Sequence, residues 1–298
     1  MDRIIFGDNQ FFGINHMSEE KAQAQSERFR DINAIIQVID TAYNCGIHAF
    51  MFNTHDRLAE LCDHFRANPD KYADLRLYPS MPYAHKYANA VNEKGMIGAL
   101  NDFIFVGPLG QVLSRIAHGA MSIVNRNMME SMKLLVDVEM GIFRDLNVRG
   151  IFLQNIVTDL LLGLGVRETF VEFASHIRAA YGVEPAFNTM NMPRLVDFLE
   201  ECGIRNPIVC SSINKAGYLM SPNREEYERT LATRQFRPMA MSVLASGAVP
   251  AEEAIDYVCG LPNIQGIVFG ASSKTHISET TQMILSRWGT ETLAGTGS

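Results

Sequence analysis

Several features that mark common protein classes are missing from this sequence. Its five cysteines, Cys45, Cys62, Cys202, Cys210 and Cys259, are odd in number, scattered and free of CxxC spacing. That excludes a disulfide frame or a cysteine zinc site and fits buried thiols in a reducing compartment. No apolar run approaches the roughly 20 residues that span a bilayer. The start, Met1-Asp2-Arg3-Ile4-Ile5-Phe6-Gly7, lacks the apolar stretch of a signal peptide. Positive charge is in deficit, with 26 Lys and Arg against 33 Asp and Glu and a net charge of −7. No general attraction to nucleic acid or to an anionic membrane is expected. Neither GxGxxG nor HExxH occurs.

What is present is the balance of a globular chain. Apolar residues make up 47% of the 298 and charged residues 20%, which excludes intrinsic disorder. The expectation is a cytoplasmic protein that handles a small molecule.

Short apolar runs alternate with longer amphipathic ones. The short runs are Ile4–Gly7, Ala49–Asn53, Arg76–Met81, Gly150–Gln154, Glu184–Asn188, Ile208–Ser211, Pro238–Ser242 and Gly266–Gly270. Each is bounded by turn-forming residues, the pattern of strands buried on both faces of a parallel sheet. Between them lie helical patterns such as Asp31–Cys45, Leu58–Ala67, Arg167–Tyr181 and Ala251–Cys259. Gly46, Gly203 and Gly260 stand where C-terminal caps belong, and Pro193 stands at a helix head. Eight strand–helix units predict a single (β/α)8 barrel over residues 1–289. An open doubly wound sheet is the alternative, but it usually carries a glycine-rich first turn. The third unit, residues 82–149, is enlarged and rich in methionine (Met121, Met128, Met129, Met132, Met140), which suits flank packing, a lid or a homo-oligomer contact across 121–140. Residues 290–298 are small and polar and are expected to fray.

In such a barrel the active site lies at the C-terminal ends of the strands. Polar residues collect there: Asp8, Asn9 and Gln10, then His16; Asn53, His55 and Asp56; Ser80, Tyr83 and His85; Gln154 and Asn155; Asn188; Ser211 and Lys215; Ser242; Ser272, Ser273 and Lys274. His55 with Asp56 offers an acid–base pair. His16, His55 and His85 follow neighbouring strands and could share a metal, but no ligand spacing supports one and none is expected. Lys215 could act as an amine nucleophile, pin an anion, or be a solvated loop lysine. The run Gly270-Ala271-Ser272-Ser273-Lys274-Thr275-His276 ends a strand and opens a helix, so its backbone N–H groups could hold a phosphate. Simple capping by Ser272 or Ser273 is the plainer account.

The segment Gly266–Thr280, GIVFGASSKTHISET, resembles the last strand and helix of aldo/keto reductases. Three further stretches resemble that family in order: Asn44–Arg57, Ala186–Leu199 and Arg237–Gly247. The resemblance implies the family's (β/α)8 barrel and NADP as cofactor. It implies cofactor contacts at Gly270, Ala271, Ser272, Ser273, Lys274, His276 and Glu279, and at Asn188 and Ser242. The family's acid–base set of Asp, Tyr, Lys and His is not matched. Asn53 stands at the Asp position, no tyrosine follows it before Tyr72, the run Tyr78–Met81 replaces the lysine, and Gln154 or Asn155 replaces the histidine. His276 stands for the usual arginine, and Thr280 for the Asn after Glu279. The expectation is an oxidoreductase with altered proton-transfer groups, among them His55, Asn53, Asp56, His16 and Lys215, acting on a small polar or phosphorylated metabolite. A cofactor-independent lyase or isomerase and a non-catalytic binding subunit are the alternatives.

Overall fold

The computed structural model of the chain describes residues 1–11, 27–83 and 132–289. Eight parallel strands close in sequence order into a barrel, with the first and last paired through Ile4↔Ile267, Ile5↔Val268 and Phe6↔Phe269. The strands are β1 (Ile4–Phe6), β2 (Ala49–Asn53), β3 (Arg76–Met81), β4 (Gly150–Leu153), β5 (Glu184–Thr189), β6 (Ile208–Ser212), β7 (Arg237–Met241) and β8 (Gly266–Phe269). The helices around them are α1 (Ile32–Asn44), α2 (Leu58–Ala67), α3 (Asn155–Leu164), α4 (Arg167–Tyr181), α5 (Met192–Glu201), α6 (Arg224–Thr233), α7 (Ala251–Gly260) and α8 (Lys274–Trp288), with residues 132–140 also helical.

Local chemistry sets the helix ends. Asp31 caps α1 by accepting the Asn33 N–H at 2.9 Å, and Ile35, Val38, Ile39 and Ala42 bury one face of that helix. Gly46 follows it with φ 88°, which a side chain resists. Asn191 caps α5, with Pro193 in its first turn. Gly260 differs from expectation: it is the last residue of α7, and Leu261 is the cap.

Two apolar layers hold the barrel. Outside, strand side chains pack against the helices in one large cluster that includes Phe6, Phe50, Phe52, Ile151 and Val209. Inside, Ile5, Met51, Tyr78, Phe152, Cys210 and Met239 belong to a second cluster that fills the lumen. Side chains alternate along a strand, so the next inward positions are Asn53, Ser80, Asn188 and Ser212. The lumen is thus greasy until its last layer and polar at the C-terminal mouth. At the opposite end Tyr78 donates to Asp2 Oδ2 at 2.6 Å, and Arg76 pairs with Asp2 Oδ1 at 2.8 Å. This network closes the barrel floor.

The proposed fraying tail, His16, His85, and Met121, Met128 and Met129 of the enlarged third unit lie outside the described residues. Met132 is buried, and Met140 packs against the outer core. No described helix is long and apolar enough to cross a membrane.

Candidate functional site

The turn after β1 carries a buried and strongly perturbed acid, Asp8. Asp8 is 3% exposed, and its carboxylate accepts the Asn53 backbone N–H at 2.7 Å and the Asn53 amide N–H at 3.2 Å. Burial pushes the carboxyl up to about 7, while the hydrogen bonds from Asn53 pull in the other direction. Asn53, which stands where the resembled family has an aspartate, therefore has a carboxyl beside it after all. That carboxyl comes from the neighbouring strand end.

His55 and Tyr83 stand together. Their ring centroids are 6.0 Å apart, although one follows β2 and the other β3. The Arg57 backbone N–H donates to His55 Nδ1 at 3.3 Å. That bond leaves Nε2 to carry the proton of the neutral ring. Burial raises the Tyr83 phenol above its ordinary value, and the charges of Asp8 and then Asp56 add to the rise. Asp56 itself is exposed. Asp8, Asn53, His55, Asp56 and Tyr83 thus form one neighbourhood.

Across the mouth, Asn188 donates its amide N–H to Ser80 Oγ at 2.9 Å. Its Oδ1 is buried without a hydrogen-bond partner. Such an oxygen costs stability unless a donor meets it, so it marks a place for a ligand N–H. The backbone beside it is held by Asp159 of α3. That carboxylate takes the Thr189 hydroxyl and the Met190 N–H, the latter at 2.9 Å. After β7 the chain is strained, with Ser242, Ala245 and Ser246 at φ 54°, 47° and 55°. Left-handed non-glycine residues collect at ligand-holding segments.

The β8–α8 turn begins at Gly270, where a Cβ would come within 2.0 Å of Gln10 Oε1. Ser273 caps α8 by accepting the His276 N–H at 3.2 Å. Lys274, His276 and Glu279 are exposed, and Ala271 and Ser272 are half-buried. Arg28 crosses from the segment before α1 and donates to the Ser272 carbonyl at 2.8 Å. Two cations, Arg28 and Lys274, therefore flank a helix N-terminus. Lys215 is half-exposed and ion-paired with Glu253 of α7. Among the described residues no group of three His, Cys, Asp or Glu is placed to hold a metal.

Sequence reasoning did not single out Asp8 or Tyr83 for chemistry. The signal for Asp8 was its place two residues past β1. Tyr83 follows β3, one strand later than the tyrosine of the resembled family.

No family model matches the sequence, and no curated protein matches it. Among solved structures the barrel is similar to those of aldo-keto reductases. A Pseudomonas aeruginosa protein described as an aldo-keto reductase superposes with a TM-score of 0.57 at 11% identity, covering 96% of this chain and 90% of that one. A protein described as a 2,5-diketo-D-gluconic acid reductase B gives 0.55 at 12%, covering 98% and 85%. An aldo-keto reductase of the silkworm Bombyx mori gives 0.50 at 10%, covering 95% and 82%.

Proposed function

We propose that this chain is an oxidoreductase on the aldo/keto-reductase barrel that interconverts a carbonyl and an alcohol on a small polar molecule, with NADP held across the barrel mouth. The observation that carries the reading is the buried Asp8 carboxyl, raised to about 7 and set beside Asn53 and Tyr83 at the end of the barrel where such enzymes work.

The residues present fit the cofactor at both ends. The unpartnered Asn188 Oδ1 suits a carboxamide N–H, and the turn Gly270-Ala271-Ser272-Ser273 with Lys274 and Arg28 suits a phosphate. Ser242 lies in the strained loop between them in sequence, and His276 and Glu279 line the exposed face of α8. When bound, the cofactor supplies or takes up hydride.

The protein's own part is the proton. Tyr83 and His55 are the donors at the mouth, one through its phenol and the other through Nε2–H. A phenol raised above its ordinary value is a weak acid near neutral pH, so it needs a nearby proton store. Asp8, titrating near working pH, fills that role and reprotonates Tyr83 after each transfer. Asn53 holds Asp8 in place without adding charge, and Asp56 tunes the pair electrostatically from the rim. Lys215 has no part in this scheme.

The test is turnover on a panel of carbonyls and alcohols with NADPH or NADP⁺. His55→Gln and Tyr83→Phe should each lower kcat by about 10²–10⁴-fold with the melting temperature held. Generic aldehydes such as nitrobenzaldehyde should be poor substrates, because the family's own Asp and Lys are missing. Unchanged turnover in both variants, or rapid reduction of nitrobenzaldehyde, would refute this assignment. Turnover without NADP would instead favour a cofactor-independent isomerase with Asp8 as its base, a reading that leaves the Asn188 Oδ1 and the 270–274 turn unused.

A further inference from the structure

Glu139 is among the most deeply buried ionisable side chains described, at 1% exposure. It lies in the helical segment 132–140, three residues after Val136 and seven after Met132. Those spacings put all three on one helix face. Met132 and Val136 pack into the outer core between barrel and helices. A carboxylate in the same stripe costs several kcal/mol of desolvation unless it is well bonded, whereas a third apolar residue would cost nothing of the kind. Stability alone therefore does not account for it.

Its partners do. Glu139 Oε2 accepts the Thr54 hydroxyl, and its two oxygens accept the Tyr83 backbone N–H at 3.2 and 3.3 Å. Thr54 lies between Asn53 and His55 in the chain, and Tyr83 is the aromatic residue set against His55. One carboxylate therefore joins the turn that carries Asn53 and His55 to the turn that carries Tyr83. Thr54 and Glu139 are both fully buried, so the tie is shielded from solvent.

We infer that Glu139 is a positioning residue: from the outer core it clamps the β2 and β3 turns so that Tyr83 stays against His55 and Asp8. Its part in the reaction rests on the role proposed above for Tyr83; the clamp itself does not. Without the bonds that Glu139 makes to its N–H, Tyr83 loses a backbone tie to the β2 turn, and the β3 turn that carries it can shift away from His55. The charged and titratable groups that face it, Asp8, Asp56 and His55, would then act on it less strongly.

The experiment is the ultraviolet titration of the Tyr83 phenol, resolved by difference against the matching Tyr83→Phe protein, in wild type, Glu139→Gln and Glu139→Met. Gln keeps a carbonyl to accept the Tyr83 N–H. Met suits the apolar stripe, so it should fold, but accepts far more weakly. Tyr83 should titrate above the ordinary value near 10 in wild type and Gln, and fall back toward that value in Met. In the Met variant kcat should drop about 10²-fold with NADPH affinity unchanged, and Gln should restore most of it. A Met variant whose Tyr83 titration coincides with wild type overturns the clamp. A shifted titration with full turnover in Tyr83→Phe upholds the clamp and overturns the catalytic role given to Tyr83.

Discussion

The Asp8 carboxylate accepts both the backbone and the side-chain N–H of Asn53, joining the ends of β1 and β2 at the mouth of the barrel. The carboxyl is buried and raised to about 7. An unfolded Asp titrates near 3.9, so between about pH 4 and 7 the folded chain holds a proton that the unfolded chain has released.

Stability should therefore fall as pH rises through that window and level off above it. The contribution is at most about 4 kcal/mol, at about 1.4 kcal/mol per unit of difference. Asp8→Asn keeps an acceptor for Asn53 but cannot ionise. The melting temperature of Asp8→Asn relative to wild type should thus be higher at pH 8 than at pH 5. Parallel pH curves for the two proteins would show that Asp8 titrates normally.

At the other end of the barrel, Asp2 is bonded to Arg76 and to the lumen-filling Tyr78. Replacing Asp2 with Ala removes the acceptor of the buried Tyr78 hydroxyl and the carboxylate partner of Arg76, although the residue-2 N–H still reaches the phenol oxygen and Arg76 still donates to the Asp74 carbonyl. Breaking such a pair costs about 3–5 kcal/mol when it is deeply buried. Arg76 is partly open to solvent, so about 2–3 kcal/mol is expected. Denaturant unfolding should register that loss while NADPH affinity stays constant, because the floor lies away from the mouth.

Gly270 and Gln10 interlock. Gln10 Nε2 donates to the Gly7 carbonyl at 2.7 Å, and its Oε1 occupies the space beside Gly270. Gly270→Ala should destabilise by about 1–3 kcal/mol through overcrowding. The cost should shrink in the Gln10→Ala, Gly270→Ala double variant, giving a coupling energy above the roughly 0.5 kcal/mol scatter of independent sites. Simple additivity would mean that the turn shifts to make room.

The barrel was legible because its strands are short apolar runs cut off by turn residues. Ala49–Asn53 and Arg76–Met81 begin and end where the pattern put them. Strand β7 slips by one residue, running Arg237–Met241 rather than Pro238–Ser242. The Arg237 N–H pairs with the Pro207 carbonyl at 2.8 Å, and a period-two pattern cannot register that bond. The helix-end signals at Gly46 and Pro193 are local chemistry and were readable as such, whereas Gly260 falls inside its helix. The site was legible only in part. Asn53 and His55 announced themselves by ending β2 and standing two residues past it. The Asp8–Asn53 pair spans 45 residues and the Thr54–Glu139 pair 85, and no local pattern links such positions. The family resemblance even pointed away from Asp8, because it fixed attention on the aspartate missing at Asn53.

Whether the mouth of this barrel takes NADP can be read from NADPH fluorescence titrated with the protein, against NADH and against Lys274→Glu. Binding should saturate, favour NADPH over NADH, and weaken about 10-fold or more when the cation beside the α8 N-terminus is reversed, the range of a charged hydrogen bond. No saturable change up to millimolar protein-bound equivalents of NADPH, or equal binding in Lys274→Glu, would contradict NADP binding at this mouth.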